Sequence, residues 1–248
     1  MRGSVLGFAL CGFVLCSFAQ AALAETAHIA VASNFAATAK LLQAKFEAQT
    51  SHRLSLSLGS SGKLYAQIVN GAPFAVFLSA DQAKPAALED AGRVLKRRTY
   101  ARGRLMVWIR QPDERPWQEQ LRRAELGKIA LANPRLAPYG TAAQQVLEGL
   151  ALNDTRSRWI TGENIAQTFQ FVSSGNAGAG FIAASQKQAI TEKGGLIALV
   201  PEELHGSINQ DVVLLKSKRL NQAARDFYQF LQSQEAQALI EADGYQVP

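Results

Sequence analysis

The chain has 248 residues, a formal net charge of +6 and two cysteines, Cys11 and Cys16. Residues 25–248 therefore contain no disulfide, thiol nucleophile or cysteine metal ligand, yet they are numerous enough to bury a stable core. The basic residues are scattered and match no recognition motif, which argues against a nucleic-acid-binding protein. Charges of this kind usually form a solvated surface, and mild steering of anions is the functional alternative.

The first 24 residues have the layout of a secretory signal peptide. Arg2 provides the positive charge, residues 5–18 form a short apolar run, and Ala22-Leu23-Ala24 has the small-x-small pattern of a cleavage site. The run is shorter than the stretch of about 20 residues that a membrane helix needs. The sequence therefore predicts export with cleavage after Ala24, and a retained N-terminal anchor is the alternative.

Beyond the signal, short apolar runs alternate with amphipathic segments. In the first part of the chain we predict strands at 29–32, 54–58 and 74–78. They are followed, in turn, by a helix with Phe35, Ala39, Leu42 and Phe46 on one face, a helix around 64–69 and a helix ending near Gly92. In the rest of the chain we predict strands at 105–109, 128–132, 178–183, 196–200 and 212–215, and helices at 141–150, 165–169, from 185, at 221–231 and at 235–242. This alternation predicts an α/β fold with mostly parallel sheets, in one large domain or two lobes. In such sheets a ligand lies beyond the carboxyl ends of the strands.

Four polar segments lie at predicted helix starts, namely Ser33-Asn34, residues 59–62, residues 138–140 and residues 163–165. A helix start leaves main-chain N–H groups unpaired and carries a partial positive charge, and both features favour an anion. Serine hydroxyls in two of the segments add further donors. Ordinary N-capping accounts for each segment taken alone. An anion site therefore depends on the convergence of several of them.

No catalytic or metal-binding pattern competes with this interpretation. The three histidines, His28, His52 and His205, are widely separated and have no ligand-like spacing. Ser60-Ser61 lacks the G-x-S-x-G elbow, and Gly62-Lys63 is not part of a phosphate-binding P-loop. We therefore predict a binding protein rather than an enzyme. A secreted enzyme with a serine nucleophile and a sensor module on the same fold are the alternatives.

The chain after residue 24 resembles the periplasmic molybdate-binding proteins of molybdate ABC importers. The matching stretches are residues 31–35, 59–68, 71–73, 79–81, 133–134 and 137–140, and Gly244-Tyr245. The resemblance implies a type II periplasmic binding protein, in which two α/β lobes joined by a two-crossing hinge close over the ligand in the cleft. It places lobe 1 at 25–105 plus 208–248 and lobe 2 at 106–207.

The family holds a tetrahedral oxyanion with hydroxyl and main-chain N–H groups, without a charged partner. The matching positions are Ser33 (hydroxyl and N–H), Asn34, Ser61, Tyr139 (N–H) and Ile165 (N–H). Some members add a tyrosine hydroxyl where this chain has Ala183. By the resemblance, Asn34 is the candidate to replace that donor.

The resemblance implies molybdate, and tungstate with it, as the ligand. A site that offers only donors suits a proton-free dianion and rejects hydrogen phosphate, because a mismatched hydrogen bond in a dry site is costly. Sulfate is also a proton-free dianion, so a carrier for sulfate or another oxyanion is the alternative. The resemblance further implies a monomer in the periplasm that needs no cofactor and delivers its ligand to a membrane-embedded ABC importer permease.

Overall fold

The computed structural model describes residues 24–190 and 193–248. Residues 1–23, which include nearly all of the predicted signal peptide, lie outside the described residues. Among the residues that are described, no helix has the length and apolar character needed to span a membrane.

The described residues form ten strands and eight α-helices. The strands are β1 (Thr26–Ala32), β2 (Arg53–Gly59), β3 (Val76–Leu78), β4 (Val94–Gly103), β5 (Leu105–Ile109), β6 (Ile129–Ala132), β7 (Trp159–Gly162), β8 (Ala179–Ala183), β9 (Leu196–Leu199) and β10 (Ile208–Leu215). The α-helices are α1 (Ala36–Gln49), α2 (Ser61–Val69), α3 (Ala83–Asp90), α4 (Trp117–Arg122), α5 (Pro138–Gly149), α6 (Ile165–Ser173), α7 (Gln222–Phe230) and α8 (Gln234–Ala242). Short 3-10 helices occupy Ser33–Phe35, Ala124–Leu126, Asn153–Arg158, Ala184–Ile190 and Glu202–Leu204.

The strands form two five-stranded sheets, with orders β2-β1-β3-β10-β4 and β7-β6-β8-β5-β9. Each sheet has helices packed against it, as the α/β prediction requires. The chain leaves the first sheet after Gly103 and returns to it at Ile208, so the sheets are joined by two crossings. Leu105 already pairs within the second sheet. We call the part of the molecule around the first sheet lobe 1 and the part around the second sheet lobe 2.

The prediction of mostly parallel sheets holds for four of the five strands in each sheet, which run in one direction, but one strand in each sheet runs against them. β10 is antiparallel to both β3 and β4, and β5 is antiparallel to both β8 and β9. The crossings explain this difference. The chain enters β5 and β10 from the other lobe. Each of these two strands therefore begins beside the carboxyl ends of its neighbours, which face that lobe. A strand that begins there runs opposite to its neighbours.

The predicted apolar face of α1 is confirmed, because Phe35, Ala39, Leu42 and Phe46 are all buried in the core of lobe 1. The helix predicted from residue 185 is instead the 3-10 helix Ala184–Ile190. Sequence reasoning missed β4, β7 and α4. Both missed strands lie at the edge of a sheet, and β4 is rich in polar residues, so its pattern does not indicate a strand.

Candidate functional site

The four polar helix starts lie at the carboxyl ends of four parallel strands. The Ser33–Phe35 turn follows β1, and α2 follows β2 after Ser60. These two strands pair in register, with Ala32 opposite Gly59, so the two helix starts are neighbours in lobe 1. In lobe 2, β6 and β7 pair with Ala132 opposite Gly162, and α5 and α6 begin beyond them.

Contacts between the lobes bring these two pairs together. The main-chain N–H of Gly62 donates to the carbonyl oxygen of Leu136 over 2.9 Å. The Ser185 hydroxyl donates to the carbonyl oxygen of Asn34 over 2.9 Å. The Ser33–Phe35 turn also contacts α6 directly. The convergence that the sequence could only suggest is therefore present in the fold.

Ser60 and Ser61 have different roles. The Ser60 oxygen accepts from the N–H of Lys63 and so caps α2. The Ser61 oxygen accepts from the N–H of Ala80 over 2.9 Å, and the side chain is buried. A hydroxyl that accepts in this way still has its own hydrogen to donate. Within the described part of the chain that hydrogen has no protein acceptor, so Ser61 has a donor to offer a ligand.

Lobe 2 contributes main-chain N–H groups at the same place. The side chain of Asn164 caps α6 by accepting from the N–H groups of Ala166 and Gln167, which leaves the N–H of Ile165 outside the cap. In α5 the first residue is Pro138, which has no N–H, and Tyr139 is the next residue. In residues 24–190 and 193–248, neither the Tyr139 N–H nor the Ile165 N–H donates to a protein acceptor.

Ser33 and Asn34 differ in what they can still donate. Ser33 is half-buried, and no protein partner of its hydroxyl is found in the described residues. The Asn34 amide nitrogen donates to the Gln210 side-chain oxygen over 2.9 Å and to the Tyr245 hydroxyl over 3.1 Å. Both amide hydrogens are therefore used inside the protein. In this arrangement the main-chain N–H of Asn34 is the group that is left to contact a ligand, which differs from the expectation that its amide would stand in for a donor at Ala183.

A buried hydrogen-bond network lies next to these residues, and sequence reasoning missed most of it. The Gln210 side chain is fully buried, accepts from the Tyr100 hydroxyl over 3.1 Å and donates to the Tyr139 hydroxyl over 3.4 Å. The Tyr245 hydroxyl donates to the Asn34 carbonyl over 2.7 Å. The network joins strands β4 and β10, which lie next to the crossings, to the Asn34 segment of lobe 1 and the Tyr139 segment of lobe 2. The one member of this network that the sequence analysis noted without giving it a role is Tyr245, which matches the family.

The buried tyrosines of this network are neutral. Burial raises the pKa of Tyr100 and of Tyr139 well above the ordinary value of 10.0. Burial likewise raises the pKa of Tyr245. These hydroxyls therefore keep their hydrogens at neutral pH and add no negative charge beside the site.

One pair of oppositely charged residues lies near the site. Lys63, in the first turn of α2, forms an ion pair with Glu163, two residues before Ile165. Both side chains are largely exposed, so the pair lies at the rim of the site. In the described residues, no group of three or more His, Cys, Asp or Glu side chains is placed to hold a metal cation. The donor set itself is made of neutral groups.

Two α/β lobes with two crossings and facing polar helix starts define a two-lobed type II solute-binding fold. The model of the bacterial extracellular solute-binding proteins matches residues 27–246. The chain is 41% identical to the molybdate-binding protein ModA of Azotobacter vinelandii over 88% of both chains. It is 38% identical to ModA of Rhodobacter capsulatus over 87% of this chain and 86% of that protein.

A solved structure gives the same result for the fold. The Azotobacter vinelandii periplasmic molybdate-binding protein superposes with a TM-score of 0.84 at 36% identity, covering 90% of this chain and 99% of that one. The chain belongs to the family of bacterial extracellular solute-binding proteins, in the group that contains these ModA proteins.

Proposed function

We propose that this protein captures molybdate, and tungstate with it, and delivers it to a membrane-embedded ABC importer permease. The observation that carries the proposal is the contact between Gly62 and Leu136, which brings the segment of the Ser61 hydroxyl next to the start of α5. In the described residues the N–H groups of Tyr139 and Ile165 and the hydrogen of the Ser61 hydroxyl have no protein acceptor. A group that only donates is matched by a ligand that only accepts, and a molybdate dianion has four oxygens and no proton. The ModA relatives support the choice of this anion.

In this proposal the anion is held by Ser33, Asn34, Ser61, Tyr139 and Ile165. Ser33 and Ser61 donate their hydroxyls, and Asn34 donates only its main-chain N–H. Tyr139 and Ile165 donate main-chain N–H groups at the starts of α5 and α6, where the helix dipoles add a favourable field. The protein works in the periplasm as a monomer after cleavage behind Ala24, and it performs no chemistry on its ligand.

The test is the melting temperature of residues 25–248 with molybdate, tungstate, sulfate or phosphate. A ligand at 1,000 times its dissociation constant stabilises the folded state by about 4 kcal/mol. We expect a clear rise with molybdate and tungstate and none with phosphate. A rise with sulfate, without one for molybdate or tungstate, would contradict the proposal and favour a sulfate carrier.

A further inference from the structure

Gly62 forms a main-chain contact between the two lobes beside the site. Its N–H donates to the Leu136 carbonyl oxygen over 2.9 Å. A methyl group on its α-carbon would lie 3.0 Å from the Leu136 α-carbon and 3.2 Å from the Leu136 carbonyl oxygen. These distances are shorter than normal van der Waals contact. Main-chain atoms cannot turn aside as a side chain would, so relief requires the Leu136 segment of lobe 2 to move away from α2 by a few tenths of an ångström.

Lobe 1 itself does not require glycine at this position. Gly62 is the second residue of α2, and its φ lies outside the left-handed region that favours glycine. Alanine stabilises a helix relative to glycine. The three atoms nearest to the hypothetical methyl all belong to Leu136 of lobe 2. The steric demand for glycine therefore comes from the contact between the lobes and not from the fold of lobe 1.

The neighbours of Gly62 connect this contact to the proposed ligand. Ser61 immediately precedes it, and Leu136 lies in the loop that leads into α5 and Tyr139. Lys63 follows it and pairs with Glu163, just before Ile165. Gly62–Leu136 and Lys63–Glu163 thus join α2 to the segments that carry the two main-chain donors of lobe 2. We call these four residues the clasp.

We propose that the clasp sets how closely the lobes approach each other and thereby how long the oxyanion is held. The inference rests on the proposed function, because it assigns a role in retaining the same ligand. Gly62 and Leu136 are positioning residues, since they bring the donors of the two lobes within reach of one anion. A substitution that enlarges residue 62 penalises only the state in which the lobes touch, and a ligand that needs that state binds more weakly.

The test compares Gly62→Ala with Gly149→Ala. Each change adds one methyl to a helical glycine, but a methyl at Gly149 meets no atom within 4 Å. Alanine also keeps the N–H at position 62, so the substitution removes no hydrogen-bond donor. Molybdate affinity is measured by calorimetry, compaction on adding molybdate by small-angle X-ray scattering, and the melting temperature without ligand.

We expect Gly62→Ala to weaken molybdate binding by about tenfold, the effect of a moderately overpacked contact. The compaction with molybdate should be smaller, and the melting temperature should fall more in the presence of molybdate than without it. Gly149→Ala should match the wild type, and Gly62→Val should weaken binding further. Wild-type affinity and compaction in both Gly62 variants would overturn the clasp, as would a loss of affinity explained by a lower ligand-free melting temperature. A wild-type protein that binds no molybdate would overturn the proposed function, and the clasp with it.

Discussion

The two lobes supply the proposed site in different ways. Lobe 1 offers two side-chain hydroxyls beside the main-chain N–H of Asn34, and Ser61 is oriented by the N–H of Ala80. Lobe 2 offers main-chain N–H groups at the starts of α5 and α6. A hydroxyl is removed by one substitution, whereas a main-chain N–H survives every substitution except proline. The positions at which α5 and α6 begin therefore determine the donors of lobe 2. The residue types that follow β1 and β2 determine the hydroxyl donors of lobe 1.

Proline at Ile165 is expected to have the largest effect, because it removes a main-chain donor without disturbing the helix. Ile165 is the first residue of α6, where proline is well tolerated. Asn164 before it is extended, as a residue before proline must be. We expect Ile165→Pro to weaken molybdate binding by about 1.5–3 kcal/mol, the value of a hydrogen bond to a charged group.

Ile165→Ala is the matched control for that experiment. It also loses packing of a buried side chain, but it keeps the N–H. Calorimetry on both variants separates the two effects. Equal affinities in Ile165→Pro and Ile165→Ala would remove the N–H of Ile165 from the site.

The next effect compares the two adjacent serines of lobe 1. Ser61→Ala should weaken molybdate binding by roughly 1–3 kcal/mol through the lost donor. Ser60→Ala should lower the free energy of unfolding by about 0.5–2 kcal/mol through the lost cap, with little change in affinity. Calorimetry and denaturant unfolding measure the two quantities. If Ser60→Ala lost more affinity than Ser61→Ala, the assignment of roles would be reversed.

The ion pair at the rim is expected to contribute less. Lys63 and Glu163 are largely exposed, and such pairs are worth at most about 1 kcal/mol. We expect Lys63→Met and Glu163→Gln each to change the molybdate dissociation rate by less than about fivefold. Lys63→Glu and Glu163→Lys each place two like charges together, and combining them should restore much of the affinity that either exchange loses alone. A double exchange no better than its single changes would exclude a direct role for the pair.

Among these changes, a change of pH is expected to alter molybdate affinity least. Neutral donors do not titrate near pH 7, and burial raises the pKa of Tyr139 above the ordinary 10.0. Each buried tyrosine with a raised pKa stays protonated in the folded state beyond the pH at which a solvated tyrosine ionises. Molybdate affinity should therefore be constant from neutral pH to about pH 10. A fall in affinity near pH 7 would indicate a titrating ligand group that this donor set lacks.

Local sequence signals predicted the helix starts of the site well. Ser60 and Asn164 each cap a helix through their own side chain, and such features can be seen in a few consecutive residues. The start of α5 was predicted at Thr141, three residues later than Pro138, where the helix begins. The strand-helix alternation likewise predicted the α/β class and most element positions. The face of α1 followed from its periodicity.

Long-range pairings could not be predicted in the same way. Asn34 and Gln210 are far apart in the chain, and nothing near either residue indicates that their side chains meet. For the same reason the sequence did not indicate that the Asn34 amide is hydrogen-bonded to Gln210 and Tyr245. By the resemblance, that amide was instead the candidate donor in place of a tyrosine hydroxyl at Ala183. The close contact between Gly62 and Leu136 depends on how two lobes meet. The polar strand β4 is specified by its partner β10 rather than by its own hydrophobicity.

Competition calorimetry tests the central claim most directly. Residues 25–248 are titrated with molybdate alone and again in the presence of excess sulfate or hydrogen phosphate. We expect saturable binding of one molybdate per chain that hydrogen phosphate displaces far less well, because the phosphate proton would have to take the place of one donor that the proposed site directs at the anion. Displacement of molybdate by hydrogen phosphate as effective as displacement by sulfate at the same excess would contradict capture of the anion by neutral donors alone.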